Sequence, residues 1–265
     1  QMHGPGDYDD GFGSRRLGVR ATSEESLRIV EEEAGFCRFE VERLLNRSLR
    51  SKGADINVVS GCFVTGEKFG SVDGVDFKLT GYPTDLQIDK IAKFHARNDV
   101  VLLTPLGFTK DGEALNIHSE ALAAFAAGSL GASKLVYFSS HPMVLQGGSD
   151  DADQGQRIQM IQRSNVNQIT SHYGLLIDEN GFPHWEDASV HLSEDQQAML
   201  LKMGWATHAI DKGVERAHII DSTDGSLLEE LFTARAGYGT CISQDDYSAP
   251  HPEDLNDDIE AGMVQ

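Results

Sequence analysis

The stretch Leu103-Thr-Pro-Leu-Gly-Phe-Thr-Lys-Asp-Gly-Glu-Ala-Leu-Asn-Ile-His-Ser-Glu120, then an alanine-rich run and Lys134-Leu-Val-Tyr-Phe-Ser139, sets the architecture read for the chain. Apolar Val100 to Leu103 reads as a strand, Lys110-Asp-Gly112 as a turn, the Ala/Leu/Phe run as a helix, and Leu135 to Phe138 after Gly131 as a second strand. A strand–loop–helix–strand unit buries one helix face on a parallel sheet and leaves its loop at the carboxyl ends of the strands, where ligands of open α/β sheets bind. Asn116, His118, Ser119 and Glu120 fall where the loop enters the helix. Their polar groups and the first free backbone N–H groups either face a small anionic ligand or, for Asn116 and Ser119, cap the helix.

Upstream, residues 1 to 18 are rich in Gly, Asp and Arg and read as a surface loop. Gly11-Phe-Gly13 misses the dinucleotide fingerprint because four residues separate it from Gly18. Thr22-Ser-Glu-Glu25 is a capping box opening a helix through about Ala34, with Gly35 interrupting before a second helical stretch. Arg43, Arg47 and Arg50 gather near the end of that stretch, where they offset the helix dipole. Ile56 to Ser60 and Cys62 to Val64 read as strand, Gly70 to Gly74 as turn, Val75 to Leu79 as a returning strand, and Gln87 to Ala96 as helix.

Downstream, Gln156 to Gln168 reads as a weak helix and Leu175 to Gly181 as a strand running into a turn. Ser193-Glu-Asp-Gln196 is a capping box for a helix through Asp211, followed by a strand at Ala217 to Ile220, a short helix at Ser226 to Phe232 and a last strand at Thr240 to Ser243. The alternation gives an α/β class with a three-layer, open, mostly parallel sheet flanked by helices.

A chain of 265 residues with 40% hydrophobic content can bury a sizeable core. Its 22 Lys plus Arg against 42 Asp plus Glu, a net charge of −20, argue against a nucleic-acid groove or an anionic membrane surface as partner. No apolar run approaches the ~20 residues of a membrane span. Cys37, Cys62 and Cys241 form no ligand-spaced pair, which points to a reduced compartment such as cytoplasm or plastid, and the histidines show no metal-binding motif.

Four passages, Gly18-Val-Arg-Ala-Thr22, Ile56 to Gly61 with Gly74 to Phe77, Thr104 to Asn116, and Gly213 to Asp221 with Leu228 to Thr233, resemble in order the amino-acid-kinase-like domain of N-acetylglutamate synthases. The resemblance implies an amino-acid-kinase or carbamate-kinase-like fold over residues 19–243, with N-terminal strands missing. It makes residues 1–18 a truncated start and 244–265 an acidic tail or connector to an absent GNAT-type acetyltransferase domain. It further implies L-arginine as effector, a homo-oligomer, and acetyl-CoA as substrate of the full enzyme, with no cofactor, metal or catalytic residue in this segment.

By the same resemblance His218, Glu230, Thr233, Gly237 and Gly239 bind arginine, and Arg20, Asn116 and Glu120 are a vestigial ligand site. Glu230 suits a guanidinium through paired charge-assisted hydrogen bonds. Read from the residues alone, Glu230 is equally an exposed helix position, His218 a satisfied strand histidine and the glycines a cap and turn. Two rival functions remain: an ATP-dependent acetylglutamate kinase, for which Lys202 is the candidate γ-phosphate ligand, and a non-catalytic oligomerisation module.

Overall fold

The computed structural model describes residues 18–139, 158–186, 192–222, 227 and 239–247. The chain divides into two compact units, one of residues 1–130 with 184–188, the other of residues 131–183 and 189–265. The expected α/β class is realised, with parallel and antiparallel strand pairs mixed.

The first unit begins with helix α1 (Glu24–Ser51), capped by Ser23, whose hydroxyl accepts from the Ser26 N–H at 3.1 Å. The cap is Ser23 rather than Thr22 because Thr22 is drawn into a bridge with Lys78. Gly35 does not interrupt the helix: α1 runs unbroken for 28 residues. A glycine costs a helix interior only about 1 kcal/mol. No atom within 4 Å crowds the place of its missing Cβ, so no contact forces a break either. Leu27 is the buried residue of α1, whereas Ile29, Phe36, Phe39 and Leu44 are all more than half exposed.

After α1 come β1 (Val58–Ser60), β2 (Val64–Lys68), the hairpin β3 (Ser71–Val72) and β4 (Val75–Asp76), β5 (Thr80–Leu86), α2 (Ile88–His95) and β6 (Val100–Leu102). β1 and β6 pair in parallel, Val58 opposite Val100. The segment expected to be a loop beyond Leu103 is instead an antiparallel pair, β7 (Leu106–Phe108) and β8 (Ala114–Ile117), joined through the anticipated turn at Lys110 to Gly112. Helix α3 (Ser119–Leu130) follows.

β2, β5, β8 and β7 close into a four-stranded barrel. So small a barrel has little interior room, and Leu115 and Ile117 take it while glycines on the facing strands leave it clear. A Cβ on Gly66 or Gly107 would lie 2.9 or 3.0 Å from Ile117, and one on Gly81 would lie 2.8 Å from Leu115. Phe63, Leu86, Ile91 and Leu122 extend this core.

The second unit carries β9 (Lys134–Ser139), β10 (Met160–Gln162), α4 (Arg163–His172) and β11 (Leu175–Ile177). Along the chain follow β12 (Pro183–Trp185), of which Pro183 alone belongs to this unit, and then α5 (Glu194–Asp211), β13 (Arg216–Asp221) and β14 (Thr240–Ser243). Its sheet has the order β10–β14–β13–β9, with β13 parallel to β9 and antiparallel to β14. Gln156 to Gln168 is not one weak helix, since its described residues divide into strand β10 and the start of α4. The first turn of α4 is capped from afar, by the Asp245 carboxylate accepting from the Ser164 N–H at 2.9 Å. The Ser193 capping box of α5 forms with both of its hydrogen bonds. Met203 to Ile210 are buried throughout, and the sheet contributes Ala217, Ile219, Ile220 and Ile242 to the core.

Candidate functional site

In the first unit Arg20, Thr22, Thr80 and Asn116 form one hydrogen-bonded chain. β5 and β8 set Thr80 opposite Asn116, and the Thr22 backbone is held by donating to Phe77 O and accepting from the Leu79 N–H at 3.0 Å. The Asn116 side-chain amide donates to Thr22 Oγ1 at 3.0 Å, Thr22 Oγ1 lies 2.8 Å from Thr80 Oγ1, and the Thr80 hydroxyl donates to the Arg20 carbonyl at 2.6 Å. Because the Thr80 proton is committed to Arg20, the Thr22 hydroxyl is the donor to Thr80. All three donors run one way, from Asn116 to the Arg20 backbone. Asn116 lies on β8 and is no helix cap. Its Oδ1 and the second amide N–H are left for other partners.

Glu120 is held locally instead: its Oε2 accepts from the Ser119 hydroxyl at 2.7 Å and lies 3.5 Å from His118 Nε2. His118 takes the cap position of α3 through its backbone, the carbonyl accepting from the Leu122 N–H at 2.9 Å. The structure thus links Asn116 to the Arg20 backbone carbonyl and ties Glu120 to its sequence neighbours. Sequence reading missed Thr22 and Thr80 as the residues that hold the Asn116 amide. The only signal was the position of Thr22 at the end of the Gly18 to Thr22 passage, since Thr80 lies 58 residues away.

In the second unit His218 is buried in the middle of the sheet on β13, opposite Cys241 of β14, with Nε2 3.9 Å from Cys241 Sγ. Gly239 immediately precedes β14. A Cβ there would collide with the Ile219 carbonyl oxygen and stand 2.7 Å from Ile220 Cγ2, so no side chain fits. Thr240 fixes the next position by donating to the Ile158 carbonyl at 2.7 Å. Glu230, Thr233 and Gly237 lie outside the described residues, as do the helix expected at Ser226 to Phe232 apart from Leu227 and the tail beyond Tyr247. Lys202, the candidate phosphate ligand of the rival kinase reading, is half-buried in the middle of α5. Among the described residues no three His, Cys, Asp or Glu side chains gather as a metal site requires, and no helix is long and apolar enough to cross a membrane.

A buried histidine on α5 makes the second unit sensitive to pH. His208 stacks on Phe182 with ring centroids 5.6 Å apart and meets Trp205 edge-on at 6.0 Å. Burial, and after it the Lys212 charge, hold its pKa below the usual imidazole value, with Asp211 and the Gly181 and Asn180 backbone opposing them. The folded state then binds this proton less readily than the unfolded chain. The stability is fully present above an unfolded pKa of about 6.5 and is lost as pH falls below it. The melting temperature is expected to fall between about pH 7.5 and 5.5, and to fall less in His208→Phe. Equal pH slopes in the two proteins would remove His208 from this account.

The chain belongs to the amino acid kinase family, whose sequence profile matches residues 7–221. It is 32% identical over 244 residues to an amino-acid acetyltransferase of Pseudomonas putida, covering 91% of this chain and 50% of that protein. It is 30% identical to one of Ralstonia nicotianae, covering 94% and 49%. The chain therefore spans about half the length of these curated relatives.

Among solved structures it resembles N-acetylglutamate synthase from Neisseria gonorrhoeae complexed with coenzyme A and N-acetyl-glutamate, with a TM-score of 0.68 and 26% identity over 91% of this chain and 50% of that one. The complex of the N. gonorrhoeae synthase with coenzyme A and L-arginine gives a TM-score of 0.65 at 26% identity, over 92% and 52%. Carbamate kinase from Giardia lamblia, at 11% identity and a TM-score of 0.55 over 80% and 73%, shares the fold alone.

Proposed function

We propose that this chain is the kinase-like, arginine-sensing segment of an N-acetylglutamate synthase, which forms N-acetylglutamate from acetyl-CoA and L-glutamate. The observation that carries the reading is the similarity, over 92% of the chain, to a synthase whose solved structure holds L-arginine. In the whole protein residues 19–243 form the sensing domain, and 244–265 lead to a GNAT acetyltransferase domain in cis, where acetyl-CoA binds and the chemistry takes place. The segment itself performs no phosphoryl transfer. A synthase working on cytosolic or plastid metabolites suits the reduced compartment read from the cysteines.

Arginine is held in the second unit by Glu230, Thr233, Gly237 and Gly239, with the Glu230 carboxylate on the guanidinium. His218, buried on β13 opposite Cys241, belongs to the same arginine-binding set. In the first unit Arg20, Asn116 and Glu120 keep the outline of an acylated-amino-acid site. Support comes from the Asn116–Thr22–Thr80 chain, which holds the Asn116 amide in one orientation. The protein is a homo-oligomer, a reading supported by the exposed Phe36 and Phe39 on α1, which a second copy would cover. Light scattering tests the assembly.

Calorimetric titration with L-arginine is expected to give saturable heat, and ADP release from ATP to stay at background. A ligand at 100 times its Kd stabilises the folded state by about 2.7 kcal/mol. At roughly 2–4 °C per kcal/mol for a chain of this size, melting should then rise by about 5–10 °C. Absence of heat together with ATP turnover would reverse the reading in favour of acetylglutamate kinase.

A further inference from the structure

The first unit has a concave surface that shares no residue with the Asn116 chain. A groove of about 600 Å³ lies where α1 ends and where β1 and β6 begin, lined by Arg43, Arg47, Arg50, Arg97, Asn57 and Asp99 among others. It is therefore at the amino ends of this parallel pair, the edge opposite to the one at which α/β folds ordinarily take their substrates. In a chain with 22 basic against 42 acidic residues, four arginines and one carboxylate share this lining.

Helix-dipole compensation does not account for the whole cluster. That effect falls off within the last turn, and Arg50 is the basic residue of the last turn of α1. Arg43, Arg47 and Arg50 stand at i, i+4 and i+7, so they share one helix face, and like charges at such spacings cost a helix a few tenths of a kcal/mol per pair. Two of the four arginines are already engaged. Arg43 donates twice to Glu40, at 3.0 and 2.6 Å, and Arg97 lies 2.9 Å from Asp99. Asp99 in turn accepts from the Asn57 side chain and backbone, both at 3.1 Å. These bonds, the side-chain one first, keep its carboxyl below the usual carboxylate range and fix that wall of the groove. Arg47 and Arg50 have no carboxylate partner among the described residues.

Two uncommitted guanidinium forks on a positively charged floor match an anion with several oxygens, and a planar fork binds phosphate oxygens in pairs. The volume is in the range of small-molecule sites. Among the described residues no aromatic side chain lines the groove, so they offer no base-stacking platform and the charged group itself is what they read. We propose that this groove is an anion site for the oligophosphate group of a small molecule, gripped chiefly by Arg47 and Arg50. Inorganic triphosphate and the phosphates of a nucleotide offer the same chemistry.

The test is calorimetric titration of the wild-type chain with inorganic triphosphate, ADP and citrate at two salt concentrations. Triphosphate is expected to bind one to one and to weaken as salt rises. The double variant Arg47→Gln/Arg50→Gln should lose roughly tenfold or more in triphosphate affinity, as expected for charge-assisted hydrogen bonds. Should the double variant fail to fold, each single variant is expected to lose roughly threefold. Comparable losses for ADP mean that a nucleotide occupies the groove, whereas ADP binding unchanged by the substitutions belongs to another site and leaves inorganic phosphate chains as the ligand. Citrate binding as tightly as triphosphate would overturn the phosphate assignment. No saturable triphosphate binding, or binding untouched by the substitutions, would overturn the site. The L-arginine heat of the double variant should equal that of the wild type, so this inference and the arginine-sensing reading fail separately.

Discussion

Replacing Ile117 by alanine is expected to destabilise the protein by ~2–5 kcal/mol, the range for truncating a fully buried aliphatic side chain. Ile117 is 1% exposed, and its side chain is the filling of the small barrel. The walls around it are Gly66 and Gly107, with Val64 alongside. A glycine has no side chain that can swing inward, so the void left by truncation cannot collapse by rotamer changes, which places the cost toward the upper end. At roughly 2–4 °C per kcal/mol the midpoint should drop by about 4–20 °C in a thermal melt. A loss under ~1 kcal/mol would mean that the barrel strands close around the gap, contrary to the packing described. The reciprocal change, Gly81→Ala, meets Leu115 from one side and the Glu67 carbonyl oxygen at 2.6 Å from the other. Overpacking of that kind typically costs about 1–3 kcal/mol.

The second large effect is expected at Gly239. An alanine Cβ there is blocked by the Ile219 carbonyl, which belongs to a central strand and cannot rotate away, and by Ile220 Cγ2 at 2.7 Å. The start of β14 must then move off β13, loosening the Thr240 bond to Ile158 and the Ile219–Thr240 pairing. Gly239→Ala should therefore lower stability by about 1–3 kcal/mol or more and weaken L-arginine binding at the same time. Glu230→Ala should behave differently. If its carboxylate takes the guanidinium as proposed, the loss should cost about 1.5–3 kcal/mol of binding, roughly 10- to 150-fold in affinity, with little change in melting. The pair of variants separates a turn that shapes the site from a charge that grips the ligand. If Gly239→Ala melts with the wild type, the steric account is wrong.

How much of the fold and site is legible in the sequence depends on how far apart the interacting residues are. The α5 boundary can be read because Ser193 and Gln196 complete their capping box within four residues. The turn at Lys110 to Gly112 is equally local, with Gly112 at φ 90° as such a turn requires. The β7–β8 pair is not: strands of three and four residues carry too little alternation to be recognised, and their stability comes from barrel partners elsewhere in the chain. Thr22 reads as a cap because Thr-Ser-Glu-Glu suits either hydroxyl in that role. Its contact with Thr80, 58 residues on, decides between them. The four ordered passages are enough to reach the family. They do not show that Gly239 is constrained by its neighbouring strand.

The one-directional chain from Asn116 through Thr22 and Thr80 to Arg20 also bears on the order in which the protein assembles. It closes contacts across 94, 58 and 60 positions, and closing loops of that length brings no enthalpic return until the barrel between them has formed. A partly folded chain can hold α1 or the Ser193 cap, but it cannot hold this set of bonds. Closure of this chain is thus a late event in folding, and its appearance in a refolding experiment marks completion of the first unit.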